Sequence, residues 1–205
     1  MRQASRPHRQ LVKPRYEASP QSTPSMVLKF LPMNFRMLLP LAFLLAIATS
    51  AYSQTARPNV PDPIKAPAGE NVVLVVHATG SQIYTCQPAA DGKFVWTYKA
   101  PEAELHDNMG AILGYHSAGP TWKLDDGSGV KGKVVAKADQ PDTIPWLLVT
   151  VTDHTGAGAL SSVDTIQRLN TKNGLPPAAG CDASTQNKET KSAYTADYYF
   201  YAPAK

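Results

Sequence analysis

Beyond about residue 70, apolar and polar positions alternate with the period of strands rather than helices. NVVLVVHA (71–78) is a continuous β-branched run, the pattern of a strand buried on both faces. GSQIYTCQ (80–87) follows what reads as a glycine turn, and KFVWTYKA (93–100) lies behind the turn Asp91-Gly92. AILGYHSA, TWKLDD, VKGKVVAKA and IPWLLVTVT continue the series, and YTADYYFYA closes it. Only VDTIQRLN (163–170) has helical spacing, and its β-branched members suit a strand equally. Residues 171–193 are polar and without period, a long loop for a compact domain. The expectation is mostly β: a single antiparallel domain, either a β-sandwich or a β-barrel.

The same alternation places side chains. Gly119-Pro120 separates two strands, because proline cannot donate to a ladder. Trp122 and Leu124 then share one face, with Thr121 and Lys123 opposite. After the DDGSG turn, Val130, Gly132, Val134 and Ala136 share a face against Lys131, Lys133 and Lys137. The prediction is a half-buried hairpin with Trp122 inward and lysines outward. His116 aligns with Ile112 and Gly114 where its strand ends, which puts it at the rim of the sheet. In YTADYYFY (194–201), Tyr194, Tyr198 and Phe200 take one face and Tyr199 and Tyr201 the other. Tyrosines along a groove suit sugars or small molecules, whereas tyrosine tips on a core strand are the commoner arrangement.

Composition divides the chain. Arg36 precedes the uncharged run MLLPLAFLLAIA (37–48), and small residues follow in ATSAYSQ (48–54). These are the three regions of a secretory signal peptide, and the run is shorter than the roughly 20 residues that span a bilayer. The organisation expected is a non-native upstream extension or disordered tail over 1–32, a signal peptide over 33–53 cut after Ala51 or Ser53, a proline-rich entry segment over 54–69, and a single β domain over 70–205. That implies a secreted or periplasmic protein with no membrane span after cleavage. Seven of the 20 bases but one of the 16 acids precede residue 54, leaving 13 bases against 15 acids, a net charge of −2 for the remainder. The overall basic balance therefore belongs to the leader, and nucleic acid is not an expected partner. Cys86 and Cys181 are the two cysteines; in an exported chain such a pair is expected as a disulfide, against the rival of a free reactive thiol.

Known chemical motifs are sparse. His77, His106, His116 and His154 form no H-x-H, H-E-x-x-H or H-x-x-x-H pattern, and there is no C-x-x-C, so no metal site is expected. GAGALS (156–161) follows an apolar strand but has serine where a dinucleotide fingerprint needs its third glycine, and no βαβ unit follows. No cofactor is expected. There is no G-x-S-x-G elbow. Glu102 and Glu104 alternate onto one face of a short segment, Asp125 and Asp126 are ordinary turn residues, and nothing places two acids across a cleft.

Six separated stretches, ATGSQIYTC (78–86), HSAGPTW (116–122), IPWLLV (144–149), IQRLNT (166–171), GCDAS (180–184) and YTADYYFY (194–201), fall in the order and wording of the DUF3455 family, which the chain resembles over roughly residues 60–202. The resemblance implies an exported single domain of bacteria or fungi and supplies no catalytic residue. Some relatives carry a malate dehydrogenase label, whose cofactor fingerprint this chain lacks. The leading expectation is an extracytoplasmic binding or surface-interaction module for a carbohydrate or small organic molecule. Its candidate binding or rim residues are Tyr84, His116, Trp122 and Arg168. The alternatives are a secreted hydrolase with a site near His116, Trp122 and Arg168, and a structural envelope protein.

Overall fold

The computed structural model describes residues 55–205. The expected signal peptide and upstream extension lie outside the described residues. Eight strands follow one another: β1 (Glu70–Pro88), β2 (Phe94–His106), β3 (Ile112–Ser117), β4 (Thr121–Leu124), β5 (Gly129–Gln140), β6 (Thr143–Thr155), β7 (Thr165–Asn173) and β8 (Glu189–Pro203). Each pairs antiparallel with the next, and β8 pairs with β1, so one sheet closes into a barrel in chain order. Of the two expected architectures, the barrel is the one formed.

Closure depends on β1, whose 19 residues pair with β2 on one side and β8 on the other. Gly80 is not a turn, as its sequence neighbours suggest, but lies inside this strand. A Cβ there would stand 2.2 Å from the Glu102 carbonyl oxygen, so glycine lets β1 and β2 approach closely as the sheet curls. Nor is the 71–78 run buried on both faces. Val72, Val76 and Ala78 are buried, but a register shift between Val72 and Leu74 breaks the alternation, and Val73 and His77 stand at the surface.

The strand buried on both faces is β7, the segment with ambiguous helical spacing. Thr165 to Leu169 are all buried. Ile166 belongs to the barrel interior, while Leu169 packs outside against Val60 and Ile64 of the entry segment. That segment, with a 3-10 turn at Asp62–Ile64, lies along the outer wall. The Gln167 side chain donates to the Ile64 carbonyl (2.5 Å), and the Arg57 guanidinium sits 5.5 Å from the Tyr201 ring centre.

The interior is filled unequally. At the end where β4 turns into β5 and β6 into β7, Leu160 and Val163 plug the barrel in one cluster with Val76, Leu105, Val130 and Phe200. At the other end the connection between β7 and β8 is shorter than the expected 171–193 loop, because β7 runs to Asn173 and β8 begins at Glu189. This connection is fastened to β1 and β2. Cys86 and Cys181 are disulfide-bonded with Cα atoms 5.3 Å apart. The Tyr84 hydroxyl donates to the Gly174 carbonyl (2.6 Å), and the Trp96 indole to the Ala179 carbonyl (3.0 Å).

Candidate functional site: a pocket inside the barrel

Between the plugged end and this fastened connection lies a pocket of about 460 Å³. Trp122 is its floor. The hairpin β3–β4 presents Trp122 inward as its alternation requires, and the indole packs edge-on against Phe200 of the core. Gly132 across from it leaves the room: a Cβ there would lie 2.4 Å from Val149 and 3.3 Å from the indole.

His116 is paired with Trp122 across the same hairpin, and the two rings stack with centres 4.4 Å apart and an angle of 13°. The expected rim position is therefore wrong. His116 is only 4% exposed, because its strand ends at the pocket, not at the outer surface, and the Gly-Pro turn carries the chain over it. Its Nδ1 lies 2.9 Å from the Thr121 carbonyl, which only an N–H can satisfy, so Nδ1 holds the proton and Nε2 is a bare acceptor. Burial holds its pKa down at about 3, and the nearby Arg168 charge acts in the same direction.

Arg168 points inward from β7 and is 7% exposed. Its Nε and Nη2 both donate to the Pro145 carbonyl, at 3.2 and 2.8 Å. No aspartate or glutamate lines the pocket, so the guanidinium charge is not neutralised by any described residue. Lys99 also reaches the lining, but its ammonium is paired with Glu189 at the surface. Tyr198, directly paired with Arg168 across β7 and β8, is 1% exposed. Burial raises the pKa of its hydroxyl, as it does for neighbouring Tyr194, so both remain protonated donors at neutral pH.

Three residues of the lining each bury a polar atom without a hydrogen-bond partner among the described residues: Gln82 Nε2, Trp122 Nε1 and Tyr198 Oη. Such atoms are rare in folded proteins and call for a water or a ligand. The rest of the wall is mostly apolar, from side chains such as Val134, Pro145, Leu147 and Leu175.

All four residues singled out in the sequence, Tyr84, His116, Trp122 and Arg168, line this one pocket. Gln82, Tyr98 and Tyr198 join them. Tyr198 was visible in YTADYYFY, but as a core or groove residue without a partner; Gln82 shares a face with Tyr84 and Cys86 in GSQIYTCQ, the one signal that could have found it. Among the described residues no group of three His, Cys, Asp or Glu side chains is placed to hold a metal ion, and no helix is long and apolar enough to cross a membrane.

These features define an antiparallel eight-stranded barrel, plugged at one end and holding a ligand-sized interior space at the other. The chain belongs to the family described as "Protein of unknown function (DUF3455)", which matches residues 67–112 and 107–202. No curated protein and no solved structure matches it.

Proposed function

We propose that this protein is an exported binding module that takes one small, largely apolar organic molecule into the barrel. The observation that carries this reading is the pocket itself, lined by apolar side chains with buried polar atoms left unpartnered. A volume of this size suits a small ligand, and eight strands form a barrel just wide enough either to fill with side chains or to hold one such molecule. The disulfide supports a location outside the reducing cytoplasm. A carbohydrate is the weaker ligand, since its many hydroxyls would meet a mostly apolar wall.

Hydrolysis draws less support. A histidine with a pKa near 3 is a feeble base at neutral pH, and its Nδ1 is oriented by a backbone carbonyl rather than a carboxylate. Among the described residues no serine, cysteine or carboxylate lines the pocket to serve as nucleophile.

Val134 lines the pocket yet is 44% exposed, so Val134→Trp can fill the space without disturbing the packed end. Calorimetric titration with octanol and cinnamyl alcohol should give saturable binding to the native chain and at least tenfold weaker binding to V134W, with glucose inert to both. Equal binding to both proteins would overturn the reading.

A further inference from the structure

The pocket carries a charge that no acid among the described residues answers. Among the described residues Arg168 is the only ionised side chain held inside the barrel, with no acid on the lining and two of its nitrogens committed to a carbonyl. Arginine stays protonated under all ordinary conditions, and burying a guanidinium without a counter-charge is strongly unfavourable. Leucine or methionine could fill the same volume without that cost. An arginine here is explained if the missing partner arrives from outside.

The other unpartnered groups point the same way. Trp122 Nε1 can only donate a hydrogen bond, and the Tyr198 hydroxyl, kept protonated by burial, has a proton to give. Both residues line the pocket, and Tyr198 is the cross-strand neighbour of Arg168. A neutral ligand could use some of these donors but would leave the guanidinium charge unmet. A second cation or an amine ligand would face repulsion with no acid to offset it.

We infer that the ligand is an organic monoanion, a small carboxylic acid with an apolar body, whose carboxylate is held by Arg168 with help from Tyr198 and Trp122. This rests on the reading of the pocket as a small-molecule site and names its chemical class. The volume limits the body to something like a medium acyl chain or a single substituted aromatic ring. A carboxylate is the better match than a polyanion such as a nucleotide, because a single buried positive charge would be left facing several negative ones.

The test uses matched probes that differ only in charge: octanoate against octanol, and cinnamate against cinnamyl alcohol, titrated at neutral pH in a carboxylate-free buffer. A hydrogen bond to a charged group is stronger than one between neutral groups, so each carboxylate should bind the native chain at least about tenfold tighter than its alcohol. Arg168→Gln should abolish that preference while still binding the alcohols. Arg168→Lys, which keeps the charge and loses the planar fork, should retain part of it. Should R168Q fail to fold, the native chain's preference and its weakening in R168K decide the matter. Alcohols binding as tightly as carboxylates would overturn the anion and leave the pocket reading standing. Failure of all four probes at millimolar concentration would overturn both.

Discussion

At the scale of single residues, the decisive feature is how His116 and Arg168 are housed. Both are polar, both are inside, and among the described residues neither has an acidic partner. For His116 the consequence is a pH dependence whose direction follows from its lowered pKa. Folded, it resists protonation until about pH 3; unfolded, it takes a proton near 6.5. Its contribution to stability is therefore complete above the unfolded value and is lost as pH falls from about 6.5 toward 3. His77, on the outer wall, behaves oppositely. Hydrogen bonds to Asn108 and Asp197 raise its pKa, so its contribution is present at low pH and fades as pH rises through that elevated value. Melting temperatures measured from pH 7 to pH 4 should fall in the native chain. In His116→Phe, which keeps a ring against Trp122 but cannot be protonated, they should fall less. Parallel curves would mean that His116 is accessible to protons in the fold. The residue types at this site were legible in the sequence, but the orientation of His116 was not. Local alternation put it at a strand's end, and only the closing of the sheet decides whether such an end faces solvent or the barrel's interior.

At the scale of elements, the hairpin β3–β4–β5 was readable because glycine, proline and aspartate mark its turns and lysines mark its outer face. Its Trp122 is buried and Lys123, Lys131 and Lys133 are exposed, as the alternation requires. A register shift between Val134 and Ala136 then ends the shared face, and Ala136 packs outside against the entry segment. Two other elements were misread for physical reasons. Gly80 looked like a turn because glycine is uncommon within strands, yet a strand that curls this tightly needs one. The helical spacing in VDTIQRLN arises because β7 is covered on both faces, by the interior and by the entry segment, so its apolar residues do not alternate. Gly132 offers a direct check on the packing that shapes the pocket floor. It occupies a strand position whose added methyl would meet Val149 and the Trp122 indole. Gly132→Ala should therefore destabilise the protein by roughly 1–3 kcal/mol, the cost of overpacking a core. Chemical denaturation of the variant measures it, and an unchanged midpoint would mean that Val149 and the indole are not packed against this position of β5.

At the scale of the whole molecule, one closed sheet performs two tasks at opposite ends. The plugged end supplies the apolar burial that stabilises the barrel. The other keeps space open beneath a connection tied down by the Cys86–Cys181 bond, which turns a long polar segment into part of the wall. Strand content and the single domain were legible from pattern. Closure was not, because the pairing of β1 with β8 joins the two ends of the domain and leaves no local trace. The central claim is that a small organic molecule enters this space and reaches its floor. Trp122 can report on that directly once the other two tryptophans, Trp96 and Trp146, are replaced by phenylalanine. In W96F/W146F the remaining emission should be that of a buried indole, and it should change saturably as cinnamate is added, with the same affinity that calorimetry gives. Calorimetric binding with no change in Trp122 emission would place the ligand elsewhere and contradict the account.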